Sequence, residues 1–328
     1  MKLWILIFTF CALATGQTAA PAAGGIERLN PALDKIVAPS AAVEALGGGL
    51  SSLEGPLWVR KGGYLLFSGL RTNAIHKWTP EGGVTVYLAD SGYTGNELPE
   101  EFDKGPNGLT LDKQGRLIVC QQGNRQVMRL EKDGKLILLA DRYQGKHLNS
   151  PNDVVRKSDG ALYFTDPPYG MPKGDKDPKK ELSFDGVYRL AGGELQLAAT
   201  VPRCNGLAFS PGEKYLYVTT SGEGGRGLMR FEVGSRGSLD KGKLFFDLAR
   251  LAQRGGIDGI KVDKKGNIYC AGPGGIWIVS PEGDHLGTIR LPGSPSNCTF
   301  GDKDGKTLYM TGRTGLYRIR LNVAGLRP

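Results

Sequence analysis

Six times along this chain a residue with a side-chain oxygen opens a short apolar strand, a turn containing Gly follows, and a second strand of alternating apolar residues returns. The copies open at Glu54, Asn107, Asn152, Asn205, Asp258 and Asn297. The clearest copy runs from Cys204 to Thr220, with the strand Asn205-Gly-Leu-Ala-Phe-Ser, the turn Pro211-Gly-Glu and the strand Leu216-Tyr-Val-Thr. A third strand follows in each copy, as in Ala74-Ile-His-Lys-Trp, Gly227-Leu-Met-Arg-Phe and Gly315-Leu-Tyr-Arg-Ile. The copies are on the order of 40 to 50 residues apart, the length of one four-stranded unit that cannot bury its apolar face alone. Stacking such units around an axis buries those faces, which predicts an all-β six-bladed β-propeller with four-stranded antiparallel blades over residues 41–328. Little chain remains after the sixth third strand. An N-terminal strand around Ala41 to Leu46 is therefore expected to complete the last blade and close the ring, leaving no open edge.

The N-terminus carries Lys2, the uncharged run Leu3 to Gly16 and the small residues Thr18-Ala19-Ala20. This is the anatomy of a secretory signal peptide over residues 1–20, and it predicts an exported protein, periplasmic or secreted, with no membrane span in the mature chain. Residues 21–40, rich in Ala and Pro, read as a loosely held lead-in. The net charge is +9, but the Lys and Arg residues are scattered between strands and form no basic run, which argues against nucleic acid as a partner. Four cysteines follow the leader, Cys120, Cys204, Cys270 and Cys298. Their spacing matches no CxxC metal pattern, and export permits disulfides without saying which would form.

In antiparallel blades the start of every first strand lies on one face, so the six oxygen-bearing residues should converge on one mouth of the central channel. The connection Asp90 to Pro106 and the charged insertion Met171 to Phe184 should overhang that mouth, as binding loops or, for the insertion, as a disordered surface loop. Taken singly, Asn107-Gly or Asn205-Gly is a turn signal. The set argues for more, because Glu54 and Asp258 hold the same place and Glu is a poor turn former. Oxygen-only donors suit a hard divalent cation, above all calcium, and two carboxylates would balance its charge. The three histidines, His76, His147 and His285, lie outside these positions, which argues against a site built from imidazoles.

The segments Glu54-Gly-Pro-Leu-Trp, Ser150-Pro-Asn-Asp-Val-Val, Thr165-Asp-Pro-Pro-Tyr-Gly, Cys204-Asn-Gly-Leu-Ala-Phe-Ser-Pro and Asp258-Gly-Ile-Lys-Val-Asp resemble the gluconolactonase and regucalcin family, over roughly residues 45 to 322. The resemblance implies one divalent cation, most often Ca2+ with Zn2+, Mn2+ or Mg2+ as alternatives, held by Glu54, Asn152, Asn205 and Asp258. It implies hydrolysis of a small sugar lactone with Asp258 as general base, and it leaves Asn107, Tyr169 and Asn297 to contact substrate hydroxyls or serve the structure. Where relatives read Glu-His-Gly-Asn-Arg, this chain reads Gln121-Gln-Gly-Asn-Arg; Gln122 cannot act as acid or base, so a mechanism that needs a His there is in doubt. The same metal site would serve an esterase or phosphotriesterase, or a non-catalytic calcium-binding propeller, and the fold alone does not choose among them.

Overall fold

A computed structural model describes residues 24–47, 49–222, 225–248, 255–313 and 315–326. Six antiparallel sheets are arranged as a six-bladed β-propeller. Blade 1 spans Leu53–Leu88, blade 2 Pro106–Ala140, blade 3 Val154–Thr200, blade 4 Cys204–Asp247, blade 5 Ile260–Arg290 and blade 6 Pro295–Arg320. In each blade the first strand lies innermost, and successive strands pair outward in chain order. The anticipated second and third strands are where the alternation puts them; Leu162–Asp166 pairs with Gly186–Ala191, and Tyr215–Thr220 with Gly227–Glu232.

Ring closure follows the expected route. Glu44–Gly47 pairs antiparallel with Gly315–Arg320, placing Ala45 opposite Tyr317, and Arg318 grips the Glu44 carboxylate at 2.8 Å. The preceding segment departs from the loosely held lead-in read from its composition. Ile26–Arg28 pairs with His285–Arg290 as a fifth strand on blade 5. A 3-10 turn over Pro31–Lys35, capped by Asn30, then seats Leu33, Ile36 and Val37 in the apolar layer between blades 5 and 6. Three apolar side chains at a spacing that one helical turn brings to one face outweigh the loop character of Ala and Pro; each such side chain contributes about 1.5–3 kcal/mol when buried. Residues 1–20, read as a signal peptide, lie outside the described residues.

The core is a series of apolar layers between neighbouring blades. Ile118, Val127 and Phe164 pack between blades 2 and 3, and Leu207, Val218 and Tyr163 between blades 3 and 4. Cys120, Cys204, Cys270 and Cys298 are buried and free, and burial pushes their thiols up, Cys298 to about 12. They behave as small apolar residues. No described helix is long and apolar enough to cross a membrane.

The two overhanging loops are both packed. Asn73 pins the start of the first, its Oδ1 accepting from the Gly92 and Tyr93 N–H groups. The insertion buries Met171 and Leu182, and the Asp177 carboxylate accepts from the Lys173 and Lys179 N–H groups. An ion pair between Glu97 and Lys179 ties one loop to the other. The insertion is thus a built loop, with Lys180 further set against Asp175 and Asp185.

Candidate functional site

The oxygen-bearing residues sit at or just before the innermost strands, and four of these strands are bulged there. Register shifts fall between Glu54 and Leu57, Pro106 and Leu109, Cys204 and Leu207, and Pro295 and Asn297. A bulge re-aims side chains at the end of a strand. Asn107-Gly and Asn205-Gly lie inside strands, so turn chemistry is not their role. The glycines serve another purpose. A Cβ on Gly108 would lie 2.7 Å from the Asn152 carbonyl oxygen, one on Gly206 2.6 Å from that of Asp258, and one on Gly259 2.0 Å from Asn297 Cγ. Each glycine lets its strand approach the oxygen-bearing residue of the next blade.

Hydroxyls finish the frame. Ser68 donates to the Asn107 carbonyl at 2.6 Å, Thr165 to that of Asn205 at 2.7 Å, and Ser296 to that of Leu53 at 2.5 Å. In each case a side chain of one blade holds the backbone of the next, and the site residues are fixed to the ring as a whole.

Four of the anticipated residues meet directly. Asn297 Nδ2 donates to Glu54 Oε2 at 3.3 Å, the Asn205 side chain hydrogen-bonds Asp258, and Asp258 and Glu54 feel one another's charge. Asn107 and Asn152 are buried at their ring positions, with the Gly108 N–H bonded to the Asn152 carbonyl at 2.7 Å. Tyr169 stands at the wall. Its hydroxyl donates to the Arg203 carbonyl at 3.0 Å, and the Arg203 guanidinium lies 4.8 Å over its ring. Burial pushes this phenol to about 12.

The sequence reading passed over three residues and gave a fourth, Gln122, no partner. Asp153, next to Asn152, is 2% exposed; its Oδ1 accepts from the Val154 N–H, and its Oδ2 is buried without a hydrogen-bond partner. Lys261 Nζ stands 3.9 Å from Asp153 Oδ2 and 3.4 Å from Asn297 Oδ1. Gln122 bonds Asn107, and the exposed Arg313 places positive charge near Asp258. The Asn-Asp pair was the one available signal. Lys261 and Arg313 act across blades, where local pattern is silent, and Gln122 acts through a strand neighbour in its own blade.

Electrostatically the site is short of positive charge. Glu54 is pushed well above the usual carboxylate range by burial and by the charge of Asp258, with Asp153 adding to it, against the Gly55 N–H and the Asn297 amide. Asp258 is raised to about 7 by burial and by Asp153, with Arg313 and the Asn205 amide holding it down. Among the described residues no three Asp, Glu, His or Cys side chains close around one point. The donor set instead mixes two buried carboxylates with amide oxygens, an all-oxygen ring whose charge a hard divalent cation matches. Asp153 Oδ2, buried without a hydrogen bond, adds a further acceptor beside this ring.

Comparison with known proteins places this geometry. The family model described as "SMP-30/Gluconolactonase/LRE-like region" matches residues 53–314. A gluconolactonase of Zymomonas mobilis is 36% identical over 312 residues, covering 92% of this chain and 87% of that protein. A gluconolactonase structure from Xanthomonas campestris superposes with a TM-score of 0.79 at 32% identity, covering 93% of this chain and 99% of its own. The calcium-binding protein regucalcin of Agrobacterium tumefaciens, 19% identical with a TM-score of 0.68 over 86% of this chain and 94% of its own, shares the fold.

Proposed function

Because the chain belongs to the SMP-30/gluconolactonase/LRE-like family, we propose that it is an exported, calcium-dependent lactonase that opens a hydroxylated sugar lactone. Its gluconolactonase relatives support lactone hydrolysis, and the family is associated with divalent cations. The observation that carries the reading is the meeting of two buried, mutually repelling carboxylates, Glu54 and Asp258, with amide side chains of neighbouring blades.

Glu54, Asn152, Asn205 and Asp258 would hold the ion, calcium being the choice for an all-oxygen set and Zn2+, Mn2+ or Mg2+ the alternatives. When bound, the cation supplies Lewis acidity toward the lactone carbonyl and balances the oxyanion that forms. Asp258, at the mouth beside Glu54 and Asn205, takes a proton from the water that adds to the carbonyl. Asn297 steadies Glu54 through its amide. Tyr169, its hydroxyl already committed, walls the mouth. Asn107 keeps a free acceptor and is the side chain most available to a substrate hydroxyl.

The leader read at residues 1–20 supports export, and N-terminal sequencing of the mature protein from its host checks the cleavage. Acid release from glucono-1,5-lactone, with and without a chelator, tests the activity. Asp258→Ala should lower kcat by about 100- to 10,000-fold, and Asn205→Ala should weaken calcium binding while the far-ultraviolet spectrum stays β-rich. Full activity in both chelator and Asp258→Ala would remove this mechanism.

A further inference from the structure

A hydrogen-bond relay runs from the Asp90–Pro106 loop into the ring and fixes the polarity of one side chain there. Gln122 Nε2 donates to the Asp103 carbonyl oxygen at 2.6 Å. Gln122 Oε1 accepts from Asn107 Nδ2 at 2.9 Å. The two ends of an amide are alike in shape, so their orientation is settled by what they must bond. A backbone carbonyl only accepts. It obliges Gln122 to turn its NH2 toward Asp103, which leaves the Gln122 oxygen facing Asn107. Asn107 must then commit its NH2 to Gln122.

What remains is Asn107 Oδ1, on a residue 3% exposed, with no hydrogen-bond partner. A buried acceptor left unpaired is costly, and in a native site it asks for a guest. Gln122 has little freedom to rearrange. A Cβ on Gly170 would lie 2.4 Å from Gln122 Cγ, so that chain is packed tightly against the relay. The hydrogen bonds of the carboxylates run elsewhere; Glu54 accepts from the Gly55 N–H and Asn297, and Asp258 from Asn205. Asn107 therefore stands beside the charged cluster, on the side of the overhanging loop, where a neutral donor suits it better than an ion.

We propose that Gln122 is a positioning residue that holds Asn107 as an acceptor, and that Asn107 Oδ1 receives a hydroxyl of a polyhydroxylated lactone. The proposal rests on the lactonase reading and adds to it the feature of the substrate that is recognised. It also accounts for Gln at this place. A singly protonated imidazole, like Gln, offers one donor and one acceptor, so either residue can complete the relay; an imidazolium offers no acceptor and cannot.

The test compares wild type, Gln122→Leu and Gln122→His on glucono-1,5-lactone and on δ-valerolactone, which carries no hydroxyl, with calcium affinity measured by titration calorimetry. Gln122→Leu should raise KM for glucono-1,5-lactone about tenfold, the worth of one hydrogen bond. Its effect on δ-valerolactone should be several-fold smaller, with calcium affinity retained. Gln122→His should resemble wild type at pH 8 and approach the Leu variant near pH 5.5, once the imidazole is charged, while the wild-type preference for the hydroxylated lactone stays flat. Unchanged discrimination in Gln122→Leu, or equal loss on both lactones with weakened calcium, overturns the proposal while leaving the lactonase reading in place. A wild-type enzyme inert on both lactones removes the reading and the proposal together.

Discussion

Asp166 shows how much one side chain outside the ring of oxygen-bearing residues can govern. It is fully buried, and its two oxygens accept from the Asn149 N–H at 2.7 Å and the Ser150 N–H at 2.8 Å. It thereby holds the loop that leads to Asn152. Burial raises this carboxyl to about 7, with the two N–H groups and Arg125 pulling it back and Asp185 pushing it further up. Since the folded value lies above the unfolded one, the folded state binds this proton more tightly. The stability so gained is full below about pH 4 and is lost as pH rises through about 7. At 1.36 kcal/mol per pH unit the effect is on the order of 2–4 kcal/mol. In chelator, the thermal stability of wild type relative to Asp166→Asn should therefore grow as pH falls from 8 to 5. A gap that stays constant would mean that Asp166 does not titrate in this range. At this scale Glu54, Asn205, Asp258 and Asn297 were legible in the sequence because they share one place in a repeat. Asp166, Asp153 and Lys261 carried no such signal, and Gln122 stood out only as a departure from relatives; Lys261 matters through Asp153 of another blade, while Asp166 and Gln122 act through neighbours of their own blade that sequence distance conceals.

At the scale of the strand, the glycines after the oxygen-bearing residues set how closely the blades approach at the mouth. Gly206 has an ordinary backbone conformation, so its constraint is one of space: a Cβ would meet the Asp258 oxygen at 2.6 Å and the Gly259 Cα at 2.7 Å, both backbone atoms. Gly206→Ala should push blade 5 away and cost about 1–3 kcal/mol, as overpacking does. It should also weaken calcium binding, because Asn205 and Asp258 bond across that gap. Gly25→Ala, with open space around the added carbon, is the control and should change stability by less than about 0.5 kcal/mol. Urea unfolding and calcium titration of both variants check this, and a Gly206→Ala protein indistinguishable from the control would refute it. The dipeptide Asn205-Gly could not reveal this role in the sequence, where the same two letters spell a turn. The second and third strands were readable because alternation is a local property, as in Tyr215–Thr220.

Over the whole molecule, the N-terminal segment fastens two blades. Glu44–Gly47 completes blade 6, and Ile26–Arg28 extends blade 5, where Arg290 pairs with Glu27 at 2.6 Å. Between the two strands Leu33, Ile36 and Val37 fill the layer that blades 5 and 6 share. The closing strand was foreseen because the sixth copy lacked a fourth strand. The outer strand and its 3-10 turn escaped notice because a three-residue strand carries almost no periodicity. A ring held at its seam should lose cooperativity when the seam is removed. A chain beginning at Gly24 retains both strands and should unfold at the temperature of the mature protein. A chain beginning at Gly49 would expose the Gly315–Arg320 edge and empty the layer around Leu33, so it should aggregate or melt at a much lower temperature. Adding a peptide of residues 24–47 should restore solubility in proportion to its concentration. If the chain beginning at Gly49 is monomeric and melts with the longer one, the blades close without their clasp, and the stability of the ring lies in the six inter-blade layers alone.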